Sequence, residues 1–290
     1  PDGSAVTTTY NNNTVTVTND LQQKRTETRN ALGQLVQVED HLKGTASFIY
    51  DIDGNLISAT TTADNRAVTV RMCYDNFGRK VAMYDPDKGG FNIGATYKGG
   101  ANANKTCDEV SASVAGTRLD GWWYYSYSGF GELITQIDAK GQKTSMTYDP
   151  LGRVKTRTDY KADNTVEGYT AWFYDAAEGG AAQVGAKGQV TAVVMNTGGG
   201  RSVCSIGALD CYRSFYNYDA LGRSTATHVY HPGDATAYTT SVTYDKFGRT
   251  SHQYDALHQL IKNNGTPQSS GVEIRYNLHG YEQEVIDLGS

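Results

Sequence analysis

The chain has 290 residues, with 26 Lys and Arg, 31 Asp and Glu and a formal net charge of −5. Its basic residues are scattered, which argues against a nucleic-acid partner. No apolar run is long enough to cross a bilayer, and no Cys-x-x-Cys pair suggests a zinc site. The 21 Tyr and 32 Gly against 5 Pro are typical of β structure.

Strand signals start near the N-terminus, where Thr14–Thr18 alternates Thr with Val. A short motif, Tyr-Asp followed by Gly three residues after the Asp, then recurs at the ends of such alternating segments. Asp suits the first position of a type I turn, and Gly suits the fourth, which needs a positive φ. The motif therefore predicts β-hairpins whose short loops end in a Gly bulge. These structural turn residues are Tyr50, Asp51, Gly54, Tyr74, Asp75, Gly78, Tyr148, Asp149, Gly152, Tyr218, Asp219, Gly222, Tyr244, Asp245 and Gly248.

Weaker copies fill the intervals between the full ones. Ser128 replaces the Asp in one copy, the copy at 174–190 has a longer loop, and His258 stands where another copy would have its Gly. Uninterrupted copies are a little over twenty residues apart, which accommodates two strands and two turns. The sequence thus predicts an all-β, antiparallel ribbon over 1–290, with insertions at about 89–121 and 195–214.

The four cysteines leave their pairing open. Cys204 and Cys211 bracket a short loop and are candidates for a local disulfide. A second disulfide between Cys73 and Cys107 has no supporting pattern. Free buried thiols are the alternative for all four.

The sequence suggests no catalytic, cofactor-binding or metal-binding residue. The repeated aspartates would suit paired-carboxylate catalysis, but a catalytic pair has no reason to recur in every repeat, so turn residues are the better interpretation. Asp51–Asn55 resembles the start of a calcium loop but lacks its terminal Glu. Trp122 and Trp123 are candidates for stacking on a sugar or a partner, although packing against the next strand is favoured.

The pattern resembles the RHS family, also called YD-repeat proteins. The run from Trp122 through the copies at 127–133 and 148–153 carries the resemblance most strongly. The resemblance implies an antiparallel β ribbon that spirals into part of a hollow shell. In bacterial toxin complexes and polymorphic toxins the shell encloses a C-terminal effector polypeptide, and in teneurins a related barrel serves adhesion.

From this resemblance we expect a non-catalytic shell segment that encloses a C-terminal toxin or effector. A cell-surface adhesion or carbohydrate-binding module is the alternative. The expected partners are the remainder of the parent chain and the enclosed polypeptide, or else a surface glycan or protein receptor. The chain opens on Pro1, so we expect a fragment of a larger secreted or cell-surface protein whose targeting signal lies outside it. Segments such as 143–147 and 153–158 suggest strands that are polar on both faces.

Overall fold

The computed structural model describes residues 5–64, 66–86, 106–107, 110, 121–176, 183–196, 204, 207–256 and 271–288. These residues contain twenty β-strands, and among them only Cys107 and Val110 are helical. The all-β prediction is therefore confirmed. Most of the predicted insertion at 89–121, part of that at 195–214, and His258 lie outside the described residues. The chain divides into two compact units, Pro1–Lys143 and Thr144–Ser290.

The first unit is a sheet in which each described strand pairs antiparallel with the next strand along the chain. Strands rich in Thr and Val suit such a sheet because branched side chains pack well on a pleated surface. Its strands are β1 (Thr7–Asn11), β2 (Thr14–Thr18), β3 (Lys24–Arg29), β4 (Leu35–Asp40), β5 (Gly44–Tyr50), β6 (Leu56–Ala63), β7 (Arg66–Tyr74), β8 (Lys80–Tyr84), β9 (Trp122–Tyr127) and β10 (Leu133–Ile137).

The second unit follows the same plan. From β12 onward each described strand pairs antiparallel with its successor. The hydroxyl groups of Thr147 and Thr156, 2.6 Å apart, join β11 to β12. Its strands are β11 (Lys143–Tyr148), β12 (Val154–Tyr160), β13 (Val166–Tyr174), β14 (Val190–Asn196), β15 (Tyr212–Tyr218), β16 (Ser224–Tyr230), β17 (Tyr238–Tyr244), β18 (Thr250–Tyr254), β19 (Gly271–Tyr276) and β20 (Glu282–Asp287).

This sequential pairing sorts the loops of each unit onto two edges of its sheet. Loops after odd-numbered strands lie on one edge, which we call the repeat edge, because the five Tyr-Asp turns that include the Gly all follow odd-numbered strands. Loops after even-numbered strands lie on the opposite edge. Both predicted insertions belong there, since one follows β8 and the other follows β14. Long loops on that edge leave the succession of repeat turns uninterrupted.

The two faces of the sheet differ in most strands. In β11 and β12, which contain the segments expected to be polar on both faces, Thr144 bonds to Asp159 on one face and Thr147 bonds to Thr156 on the other. Side chains alternate between faces along a strand, and the strand register fixes which residues share a face. In the first unit one face is rich in threonine, and hydroxyl pairs such as Thr16 with Thr26, at 3.0 Å, cross between strands. The other face, which we call the tyrosine face, carries the repeat tyrosines with Val, Met, Phe and Trp side chains. In the second unit the repeat tyrosines likewise share a face with Trp172, Val193 and Ile274.

The loop after β8 returns to the threonine-rich face of the first unit. Cys107 is bonded to Cys73 of β7, and Val110 is only 1% exposed. Val110 packs there with Trp122 and other apolar residues of β7 to β9. Where the loop covers this face, the strands carry apolar residues instead of threonine. This burial and the disulfide together anchor the loop.

The loop after β14 is anchored in a similar way in the second unit. Cys204 and Cys211 are bonded to each other and pack against Ala171 and Val194 on the face opposite the tyrosine face. Val194 has no exposed surface. All four cysteines are thus in disulfides in the structure.

We expect the Cys73–Cys107 disulfide to stabilise the first unit more than the shorter one stabilises the second. A disulfide restricts the unfolded chain more when it closes a longer loop, and the separations are 34 and 7 residues. Replacing Cys73 and Cys107 by Ala should cost about 3–4 kcal/mol of unfolding free energy, against roughly 2 kcal/mol for the other pair. Urea unfolding of both double variants measures this. Identical unfolding of the native chain with and without reductant would contradict it.

Candidate functional site

One aspartate carboxylate organises each complete repeat turn. In the turn after β15, Oδ1 of Asp219 accepts hydrogen bonds from the N–H groups of Leu221 at 2.9 Å and Arg223 at 3.0 Å. Its Oδ2 accepts from the Arg223 guanidinium, with Nε at 2.7 Å. The carboxylate thereby holds the backbone of the turn and the arginine that leaves it. The same arrangement occurs at Asp75, Asp149 and Asp245.

The glycine of the turn supplies a backbone conformation that other residues rarely adopt. Gly222 has a φ of +77°, and its N–H donates to the carbonyl of Asp219 at 3.0 Å. The strand register shifts beside this turn, where Tyr218 pairs with Ser224. The φ values of the other predicted turn glycines are +87° at Gly54, +72° at Gly78, +76° at Gly152 and +84° at Gly248.

Tyrosine and arginine connect many of the turns to the next one along the repeat edge, whereas the hydroxyls of Tyr74 and Tyr148 contact methionine sulfurs of their own strands. The Tyr244 hydroxyl donates to the carbonyl of Ser224 at 2.7 Å, and the Arg223 guanidinium lies over the Tyr244 ring, 4.2 Å from its centre. The ring is thus packed against a cation and its polar end is satisfied. The other hydroxyl bonds run from Tyr50 to Leu35, Tyr127 to Lys80, Tyr174 to Val154, Tyr218 to Val190 and Tyr276 to Thr250, at 2.7–2.9 Å.

We call this series of Asp, Arg and following Tyr the turn ladder. The arginines were not among the residues predicted from the sequence, although Arg recurs four residues after the Asp in the best copies. Arg79 lies over Tyr127, Arg153 over Tyr174 and Arg249 over Tyr276, with 4.2–4.9 Å to the ring centres. The arginine of the motif therefore makes the contact between successive repeats. Its role becomes visible only once the order of the strands is known.

The variant copy at 174–190 keeps the connection with different groups. Asp175 accepts two hydrogen bonds from the Arg153 guanidinium, at 2.8 and 3.2 Å, and one from the Gly188 N–H at 2.6 Å. Gln189 occupies the position of the arginine. Arg153 thus contacts the carboxylates of both Asp149 and Asp175, which raises its pKa. A longer loop is accommodated without breaking the series.

Hydrogen bonding keeps the turn aspartates ionised. The hydrogen bond from the Arg223 side chain lowers the pKa of Asp219, and that from the Arg153 side chain lowers the pKa of Asp175. For Asp75 and Asp245 burial alone would raise the pKa, but bonds from the arginine side chain and the backbone outweigh it, and the pKa falls.

This chemistry is that of structural turns. A general acid needs a raised pKa, whereas these carboxylates have lowered values and several donors each. At Asp51, Oδ1 accepts from the N–H groups of Asp53 and Asn55, and Oδ2 accepts from the Asn55 side chain, so the carboxylate is already engaged within its own turn. Within the described part of the chain no group of three or more His, Cys, Asp or Glu is placed to hold a metal ion.

The two tryptophans proposed for stacking lie on opposite faces of β9. Trp122 is 1% exposed and packs against Tyr84, with 5.7 Å between ring centres, so no ring face is available to a ligand. Trp123 is half-buried on the tyrosine face beside Met83. Stacking at Trp123 stays a prediction.

Gly131 and Gly129, in the turn after β9, allow the backbone requirement to be tested by itself. A Cβ at either position would meet nothing within 4 Å, but only Gly131 has a positive φ, +90°. Gly131→Ala should therefore lower the unfolding free energy by about 1–2 kcal/mol through backbone strain alone. Gly129→Ala is the matched control and should be neutral or slightly stabilising. Equal effects of the two substitutions in urea unfolding would contradict this role for Gly131.

The lowered pKa values of the turn aspartates predict a loss of stability in acid. A carboxylate with a folded pKa below its unfolded value of about 3.9 stabilises the fold above that pH, and the contribution disappears as the pH falls through the folded pKa. The melting temperature should therefore be nearly flat above about pH 5 and fall below about pH 4.

Asn is a suitable probe because Asn30 and Asn277 already accept the same backbone hydrogen bonds in other turns. Replacing Asp219 and Asp245 by Asn should lower the melting temperature at neutral pH and make its fall in acid shallower. An unchanged acid dependence would show that the ladder is not its source.

No helix in the described residues has the length and apolarity of a membrane span. The RHS repeat profile matches residues 127–166, which contain the turns of Ser128 and Asp149. No curated protein matches the chain.

Solved structures that resemble the chain include TcdB2-TccC3-TEV, at 14% identity and a TM-score of 0.29, over 98% of this chain and 17% of that one. A Photorhabdus luminescens Tc holotoxin pore has 13% sequence identity to this chain and a TM-score of 0.29, and the match covers 98% of this chain and 18% of that one. A porin-like protein from Bacteroides uniformis has 11% sequence identity and a TM-score of 0.28, and the match covers 97% of this chain and 92% of that one. The chain thus spans less than a fifth of the toxin chains. Residues 127–166 thus match the RHS repeat, and turns of the same construction, such as those of Asp75 and Asp219, lie on both sides of the match.

Proposed function

We propose that the chain is a non-catalytic wall segment of a larger RHS shell that encloses a C-terminal toxin or effector polypeptide. The observation that carries the proposal is the turn ladder, which connects successive repeats along one edge of the sheet. A wall one sheet thick has no second layer to pack against, so its cohesion must come from strand pairing and from contacts within the sheet. The ladder supplies such contacts at four turns, and the hydroxyls of Tyr50 and Tyr218 add hydrogen bonds at two more.

The composition of the tyrosine face supports a wall of this kind. A thin wall leaves aromatic side chains near water on a broad surface, where a buried hydroxyl without a partner would be costly. Here the repeat tyrosines keep their rings against neighbouring strands while their hydroxyls donate to carbonyls, as Tyr218 does to Val190 at 2.7 Å. Tyrosine therefore allows a face of aromatic side chains that is partly exposed to water.

The disulfides support a secreted or cell-surface location. Disulfides persist in oxidising compartments and are rare in the cytosol, and this chain has two, Cys73–Cys107 and Cys204–Cys211. We propose that the targeting signal belongs to another part of the parent protein. The partners proposed are the remaining repeats of that parent and the enclosed polypeptide.

Limited proteolysis of the full-length native parent tests enclosure. A polypeptide downstream of this segment should survive a broad-specificity protease while the shell is folded, and be degraded once the shell is unfolded by denaturant. A parent carrying both Asp219→Ala and Arg223→Ala should lose this protection at a lower denaturant concentration, because one link of the ladder is missing. Lys140→Ala, at an exposed turn, is the control.

Mass spectrometry of the surviving pieces identifies what is protected. A downstream polypeptide that is cleaved as fast in the native parent as in the unfolded one would contradict enclosure. The adhesion alternative would then be examined by glycan and cell binding, with Trp123→Ala as the variant that removes the half-buried indole.

A further inference from the structure

Within the second unit, the longer loop after β13 is held to the sheet by side-chain hydrogen bonds that the turn ladder does not include. The side-chain nitrogen of Gln183 donates to the carbonyl of Tyr216 at 3.1 Å and to Oδ1 of Asn217 at 3.2 Å. The side-chain nitrogen of Asn217 lies 3.1 Å from Nε2 of His228, and Nδ1 of His228 lies 2.8 Å from the hydroxyl of Thr239. We call Gln183, Asn217, His228 and Thr239 the histidine relay. It connects the loop to β15, β16 and β17.

The direction of every hydrogen bond in the relay is fixed from its loop end. A backbone carbonyl can only accept, so Gln183 must direct its NH₂ group at Tyr216, and the same group then donates to Oδ1 of Asn217. The NH₂ group of Asn217 is left to face Nε2 of His228. Nε2 is therefore the acceptor, and the imidazole proton is on Nδ1, where it donates to Thr239. The relay is complete only when His228 is neutral.

A second proton on His228 breaks the relay. Protonated Nε2 is a donor, and it faces the NH₂ donors of Asn217. Rotating the Asn217 amide by 180° would present its oxygen to His228, but its NH₂ group would then face that of Gln183. Gln183 cannot rotate in response without directing its own oxygen at the carbonyl of Tyr216. One hydrogen bond is lost in every arrangement, and the loop loses its connection to β16.

The surroundings of His228 do not favour the protonated form. Among the described residues, the strands that flank β16 place one charged side chain on this face, that of Arg213, and a cation cannot stabilise an imidazolium. Arg213 lies over the ring of Tyr230, the next residue of β16 on the same face. In the described part of the loop the charged residue is Lys187, also a cation, which interacts with Asp175. Burial lowers the pKa of His228.

The segment that follows Gln183 packs closely on the turn of Asp219. Ala186 has no exposed surface, and its N–H donates to the carbonyl of Gln183 at 3.2 Å. The backbone of Gly185 lies so close to the carbonyl of Asp219 that a Cβ would not fit between them. A displacement of Gln183 therefore disturbs the residues that cover this turn.

We propose that His228 is a pH-sensitive lock on the loop after β13, closed by the neutral imidazole and opened by its protonation. The stabilisation of the closed loop is complete above about pH 6.5, the value for an unfolded histidine, and is lost as the pH falls through the lower pKa of the folded chain. The strands stay paired when the loop opens, so the opening is local. Asp175 and Asp219 have lowered pKa values and stay ionised over this range.

Nuclear magnetic resonance of the 290-residue chain tests the lock. The ring of His228, assigned by the signal that His228→Gln removes, should titrate below about pH 6.5. Amide exchange at Ala186 and Gln189, corrected for its intrinsic pH dependence, should be about fivefold faster at pH ~5 than at pH ~7.5, as expected for the loss of one hydrogen bond. The amide of Gly248, which closes a turn remote from the relay in sequence, is the internal control and should not change.

Substitutions in the relay separate the lock from the effect of burial. Glutamine accepts near the position of Nε2 without titrating, so His228→Gln should keep the loop protected at both pH values. In Asn217→Asp the carboxylate accepts from both Gln183 and a protonated imidazole. The pKa of His228 should then rise above about 6.5, and the loop should be better protected in acid than at neutral pH. His279→Gln, at an exposed turn, should behave like the native chain.

Three results would overturn the proposal. The first is a pKa of His228 at or above about 6.5 in the native chain. The second is a lowered pKa without any change in loop exchange, because burial alone would then account for it. The third is the same pH dependence of loop exchange in His228→Gln as in the native chain, which would assign the effect to another group.

Discussion

The aspartate of the repeat turn is the residue on which the rest of the sheet depends. One oxygen of its carboxylate accepts the backbone N–H groups that close the turn, and the other holds the arginine that reaches the next repeat, as Asp219 does with Arg223. A neutral acceptor such as Asn closes the turn as well, but it cannot form the ion pair. The carboxylate therefore closes its own turn and also connects that turn to the next repeat in the four copies that have both Asp and Arg.

This arrangement suits a sheet that lacks a conventional core. Few side chains are fully buried among the described residues, and they concentrate where the loops after β8 and β14 return to the sheet. Elsewhere stability must come from strand pairing, cross-strand contacts and the ladder, each modest and each repeated. Partly exposed ion pairs contribute little individually, so their value lies in the fixed geometry that they impose on tyrosine and turn. A wall made in this way can be lengthened repeat by repeat.

The two edges of the sheet carry different kinds of loop because the strands pair antiparallel in chain order. Apart from the longer loop after β13, the repeat edge has short turns of similar structure, and the two predicted insertions follow β8 and β14 on the opposite edge. Both long loops use a disulfide and a small apolar cluster, with Val110 or Val194 at its centre, to stay against the sheet. The two predicted insertions are thereby placed where they do not interrupt the ladder.

The amino-acid sequence by itself determined the fold class, the resemblance to the RHS repeat and the positions of the turns, because a turn depends on residues four or five positions apart. It indicated Gly222 and Asp219 from local rules alone. Only the tertiary structure decided what depends on strand order: the contact of Arg223 with Tyr244, the two different faces of the sheet, and the pairing of Cys73 with Cys107. These contacts join residues more than twenty positions apart, whose proximity no local pattern encodes.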